Sequence, residues 1–219
     1  MIRLQNLSKT YATKGHKTKV ADDITMTLPG QTAIALLGRN GAGKSSLLRM
    51  IAGTMAPDRG RVITRGTVSW PIGFAGSFHG DLSGAQNTRF VARIYGVDTD
   101  ALLDAVQSFA DLGAHFHLPV KTYSAGMKAR LAFGVSMGVP FDTYLVDEVT
   151  SVGDANFREK SAALFRERMA HSGAIVVSHG LELVQQICDH AMVLHKGKLS
   201  YHKNVAEGIA HHRALIRAD

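Results

Sequence analysis

Gly38–Ser46, GRNGAGKSS, stands between the apolar run TAIALL and the helix-like run SSLLRMIAG. It matches G-x-x-x-x-G-K-[ST] with Gly38, Gly43, Lys44 and Ser45 in register. Gly38, Gly41 and Gly43 let the backbone curl so that successive N–H groups face phosphate oxygens without side-chain obstruction. Lys44 then reaches the terminal phosphates, and the Ser45 hydroxyl is a ligand for Mg²⁺. Arg39, Asn40, Ala42 and Ser46 complete the expected nucleotide-binding set. The helix that follows, ending at Gly53, aims the positive end of its dipole at the phosphates.

A strand before the loop and a helix after it imply an α/β core, and the rest of the chain fits one. IRLQNL and VADDITMTL read as strands, followed by a PGQ turn, and GRVITRGTVSW reads as a further hairpin. From about Ala85 to Val139 the apolar spacing becomes helical, with helices expected at Gln86 to Tyr95, Thr99 to Leu112 and Ser124 to Met137. Short apolar strands then return as TYLVDE and GAIVVSH, separated by NFREKSAALFRERMAHSG. The strand, helix, strand order implies a mostly parallel sheet covered by helices. The expected organisation is one domain over 1–219. Its catalytic α/β and β lobes are 1–84 and 140–219, and the inserted helical subdomain is about 85–139.

Bulk properties narrow the classes. The 219 residues are 45% hydrophobic and 20% charged, enough for a large core. No apolar run is long enough for a membrane span, and MIRLQNLSKTY lacks the apolar middle of a signal peptide. The single cysteine, Cys188, reads as a core residue. A net charge of +7 would suit nucleic acid, an anionic membrane face or a polyphosphate ligand, but acids are interspersed throughout and charge alone decides nothing. The histidine pairs 115/117 and 211/212 lack neighbouring ligands at metal spacing and read as solvated surface.

Two further strand ends carry chemistry. TYLV is followed by Asp147, suited to the Mg²⁺ shell, and Glu148, suited to polarising a water for in-line attack on the γ-phosphate. AIVVS ends at His179, on the carboxyl rim where open α/β sheets bind ligands. His179 is expected to contact the γ-phosphate, the alternative being a structural histidine. Lys44, Glu148 and His179 form the expected catalytic set.

KTYSAGMKARLAFGVSM places Ser124 as a helix N-cap and Gly126 where backbone can be approached closely. With YSAGM between the phosphate loop and the DE-ended strand, the whole chain resembles the ATP-binding-cassette ATPases, whose signature is of LSGGQ type. The resemblance implies a head-to-tail homodimer with two ATPs between the subunits. Ser124, Ala125, Gly126 and Met127 would then act in trans, Asp154 of TSVGD in the D-loop, and Tyr11 as the adenine-stacking aromatic. Ala125 and Met127 depart from the signature's glycine and glutamine, which implies slow turnover, and Val149 replaces the usual proline.

SWPIGFAGSFHGDLSGAQN, RFVARIYGV, KTYSAGM and VDEVTSVGDANF are similar to the ATPases of Gram-negative capsular polysaccharide exporters. Exporters of O-antigen and teichoic acid resemble the chain less, and P-loop kinases or soluble cassette proteins are poorer matches. The resemblance implies ATP and Mg²⁺ as cofactors, an integral-membrane permease and further envelope export proteins but no nucleic acid as partners, and residence on the cytoplasmic face of the inner membrane. Polymer selection is expected in the permease. In the family the segment around Ser69–Asp81 supplies a glutamine to Mg²⁺, but none occurs here. His79 is the nearest polar substitute, with a replacement lacking any metal role as the alternative. Trp70 and Ile72 read as core, whereas Phe74 and Phe78 read as a groove for the permease.

Overall fold

The computed structural model describes residues 1–13, 16–72, 78–147, 155–178 and 180–218. Of the expected site residues, Phe74, Glu148, Asp154 and His179 lie outside these. The chain forms two compact units, one of Met1–Pro71, Phe141–Val149 and Met169–Asp219, the other of Ile72–Pro140 and Thr150–Arg168.

The first unit holds two sheets. Strands β1 (Ile2–Thr13), β2 (His16–Leu28) and β4 (Arg59–Thr64) form an antiparallel sheet in the order β2-β1-β4. The larger sheet contains β3 (Ala33–Leu37), β5 (Val68–Ile72), β6 (Thr143–Asp147), β7 (Gly173–Val177), β8 (His190–His195) and β9 (Lys198–His202). Its order is β5-β6-β7-β3-β8-β9, with β6, β7, β3 and β8 parallel and β9 antiparallel to β8. All five residues of β3 and of β7 are buried, as unalternated apolar runs require when both sheet faces are covered. Helix α1 (Lys44–Ile51) contributes Leu47, Leu48, Met50 and Ile51 to the core. There they join Leu4, Leu7 and Leu28 of the small sheet and Ile34, Leu36, Leu145 and Met192 of the large one.

GRVITRGTVSW is not a hairpin. β4 pairs with β1 and β5 lies beside β6, so the two strands part into different sheets. Asp142 fixes the parting: its carboxylate accepts from the Thr67 backbone N–H at 2.7 Å and from the Thr67 hydroxyl at 2.9 Å, next to the start of β6. Buried Ser69 strengthens the pairing by accepting from the Leu145 N–H at 2.9 Å and donating to the Trp70 carbonyl at 2.7 Å. Trp70 meets Phe141 edge-on at 5.4 Å and Ile72 is buried, so both are packing residues.

The second unit contains α2 (Gly84–Tyr95), α3 (Thr99–Ala110), α4 (Ala125–Gly138) and α5 (Ala155–Met169). Helix α2 starts before Gln86 because Ser83 and Gln86 form a reciprocal capping box. α3 stops at Ala110 because Asp111 turns left-handed, at φ 47°. Asn87, buried on α2, accepts from the His79 N–H and donates to the carbonyls of His79, Leu82 and Ser83, fixing the chain that enters the helix. Phe109 stacks on Phe133, and Phe157 meets Phe109 edge-on at 5.3 Å, so α3, α4 and α5 share one aromatic core.

Back in the first unit, α6 (Leu181–Ile187) and α7 (Val205–Ala218) complete the chain. Cys188 is buried in apolar surroundings that push its thiol up to about 12, so it is an inert core group. Among the described residues no helix is long and apolar enough to cross a membrane.

Candidate nucleotide site

At the carboxyl end of β3 the chain enters the glycine loop. A Cβ on Gly38 would lie 2.6 Å from the Leu194 carbonyl oxygen, and one on Gly43 would lie 2.6 Å from Val20 Cβ. The first and last glycines are therefore required by the close approach of β8 and β2. Gly43 is also the N-cap of α1, at φ 104°, and no side chain caps the helix. With no acid in its first turn, α1 presents backbone donors and dipole to an incoming anion. The Lys44 ammonium donates to the carbonyls of Gly38 at 2.7 Å and Arg39 at 3.1 Å, and Ala42 N–H donates to the Arg39 carbonyl, closing the loop on itself.

The loop opens on a cavity of about 490 Å³, of a size that admits a nucleotide. Tyr11, Asn40, Gly41, Gly43, Lys44, Ser45, Ser46 and Asp147 all border it, whereas Gly38, Arg39 and Ala42 of the expected set do not line it. Tyr11 shares a 3.1 Å hydrogen bond with the Ser46 hydroxyl, which anchors the phenol while its ring stays partly exposed. Thr18, Val20 and Val177 also line the cavity and were not expected. Thr18 faces Tyr11 across the β1–β2 register, a pairing that follows once the strand alignment is known.

The donor set fits Mg²⁺. Ser45 and Asp147 supply a hydroxyl and a carboxylate to the same cavity. Among the described residues no three His, Cys, Asp or Glu side chains gather into a metal cage. That sparse oxygen set suits an ion completed by phosphates and water.

In the second unit, Ser124 caps α4 by accepting from the Met127 N–H at 3.2 Å. Ser124, Gly126, Met127, Arg130 and His115 line a cavity of about 320 Å³ at this helix start. A Cβ on Gly126 would meet only the Ser124 hydroxyl, at 3.8 Å, so internal packing does not demand the glycine. His79 is exposed and Phe78 is half-buried, both in this unit.

One histidine pair reads differently in place. His115 and His117 are exposed, but His211 pairs with His202 at 2.9 Å, and half-buried His212 lines a cavity with Lys44. No local sequence signal marks these contacts, because they depend on how α7 lies on the sheet.

The family model described as ABC transporter matches residues 21–151. The chain belongs to the ABC transporter family. Within it the chain is an ABC-type ATPase, 47% identical over 212 residues to "Polysialic acid transport ATP-binding protein KpsT" of Escherichia coli, covering 95% of each. It is 41% identical over 215 residues to "Capsule polysaccharide export ATP-binding protein CtrD" of Neisseria meningitidis, covering 98% of this chain and 100% of that one. Relatives from O-antigen export are more distant, such as RfbB of Klebsiella pneumoniae at 35% over 190 residues, 85% of this chain and 77% of that one. Among solved structures, a dimeric ATP-binding cassette in a post-hydrolysis state with ADP and Pi shares the fold. Its TM-score is 0.77 at 17% identity, over 91% of this chain and 98% of that one.

Proposed function

We propose that this chain is the ATP-hydrolysing subunit of an exporter that moves capsular polysaccharide across the inner membrane, held at the cytoplasmic face by a separate permease. The observation that carries the substrate class is 47% identity over 95% of both chains to a polysialic acid transport ATP-binding protein. Deleting the gene should leave polymer inside the cell with no surface capsule. A normal capsule would overturn the reading, and loss of O-antigen or teichoic acid instead would move it to those exporters.

The cavity that Tyr11, Lys44, Ser45 and Asp147 share supports the roles assigned to them. Tyr11 carries the adenine, loop N–H groups and Lys44 hold the phosphates, and Ser45 and Asp147 hold Mg²⁺. The ion, when bound, bridges and neutralises phosphate oxygens. Glu148 orients the attacking water and His179 contacts the γ-phosphate; these two roles rest on sequence position.

The open face around Gly126 supports a role for the helical unit, 85–139, in a head-to-tail homodimer. Ser124, Ala125, Gly126 and Met127 meet the nucleotide held by the other copy, with Asp154 lying between copies. A dimer that binds ATP more tightly when closed transfers that difference to the permease.

Phe74 and Phe78 form the permease contact, and His79 replaces the missing glutamine near the metal. Replacing Phe78 with aspartate should leave folding and ATP binding intact while abolishing surface capsule. Immunostained capsule at the normal level in that strain would show that Phe78 does not couple the two proteins.

A further inference from the structure

Lys44 borders a second cavity, of about 120 Å³, whose walls include Gly38, Ser178, His212 and Arg213. The C-terminal helix brings the last two. α7 lies so close to β8 that a Cβ on Gly208 would sit 2.3 Å from Ala191 Cβ, and the pairing of His211 with His202 at 2.9 Å sets its rotation. The next residue, half-buried His212, is thereby presented to the cavity that holds Lys44.

We propose that His212 is a positioning residue for Lys44 and takes up a proton when nucleotide phosphates engage that lysine. The Lys44 ammonium donates to the Gly38 and Arg39 carbonyls, and its positive potential reaches the imidazole. Burial first, then Lys44 and His211, hold His212 below the ordinary histidine value of 6.5, favouring the neutral ring. Phosphates arriving at Lys44 offset that potential and lower the cost of an imidazolium. A protonated His212 in turn repels the ammonium, weakening its hold on the loop carbonyls and favouring the phosphates.

Among the described residues, the other ionisable or charged groups on the elements packed around His212 are the following. Arg213 shares the cavity, and His211 precedes His212 on α7, with Glu207, Arg213 and Arg217 on the same helix. β9 contributes Lys198 and His202, β8 contributes His190 and His195, α6 contributes Glu182, and β3 contributes none. His190 is occupied by the Tyr201 hydroxyl.

Binding raises the His212 pKa, so affinity rises as pH falls through the bound-state value and levels off below the free-state value. A rise of one unit would limit the gain to about tenfold.

The test uses the full chain and MgADP. Histidine Cε1–H resonances are titrated with and without nucleotide, with His212 assigned by its loss in H212Q. Calorimetry in two buffers of different ionisation enthalpy counts protons taken up by wild type and by H212Q, so that ligand protonation cancels. The expected result is a His212 resonance titrating at higher pH with MgADP, and greater proton uptake by wild type. Binding without either effect overturns this proposal and leaves the nucleotide site standing. This inference rests on reading the larger cavity as a polyphosphate site, and absence of MgADP binding overturns both.

Discussion

Replacing Lys44 with alanine should lower ATP turnover by about 10²–10³-fold, the cost of losing one preorganised donor to the charge that develops on the transferred phosphoryl group. The lysine has two duties in this structure. Its ammonium ties the Gly38 and Arg39 carbonyls at 2.7 and 3.1 Å, and it borders the cavity assigned to the phosphates. Alanine removes both, so nucleotide affinity should fall together with turnover. Arginine at 44 restores the charge but brings a planar fork where a compact ammonium fits, and should not rescue the rate. Phosphate release by purified protein and fluorescence titration with MgADP measure the two effects. Turnover unchanged in Lys44→Ala would remove the loop from the reaction.

Glu148→Gln should give the opposite split: ATP still binds, while hydrolysis drops by about 10²–10⁴-fold, the usual contribution of a positioned general base. Its neighbour Asp147 closes β6 and faces the nucleotide cavity, so the substitution leaves the oxygen donors assigned to Mg²⁺ in place. With hydrolysis blocked, the ATP-bound form cannot reopen, and a dimer should accumulate on size exclusion in MgATP and dissolve in MgADP. Normal hydrolysis by Glu148→Gln would reassign the base; failure to dimerise would count against nucleotide shared between two copies.

Much of the candidate cavity's lining was legible because phosphate binding imposes local rules. Loop glycines, a lysine and a serine must be adjacent in sequence to surround one polyphosphate, and Asp147 announces itself by ending an apolar strand. Tyr11 came from family likeness; no local chemistry singles it out. The fold class was legible in the same way, from unalternated apolar runs flanking a helix. What the sequence did not disclose depends on distant partners. The fate of β4 and β5 turns on Asp142, far along the chain, which accepts from Thr67. Asn87 resembles any polar helix residue until its four hydrogen bonds to the entering chain are seen. His212 shares a cavity with Lys44 because Gly208 lets α7 approach β8.

The position of β3 between β7 and β8 has a consequence for biosynthesis. The phosphate loop hangs from a strand completed at residue 37, yet β7, the first of its two neighbours to be made, begins at residue 173, about 136 residues later. At about 5–20 residues per second, translation leaves this apolar strand without either neighbour for roughly 7–27 s. The antiparallel pair β1 and β2, by contrast, is complete almost at once. A nascent chain therefore carries an exposed, aggregation-prone segment through most of its synthesis, and chaperone supply during translation should govern its yield as strongly as the stability of the finished fold.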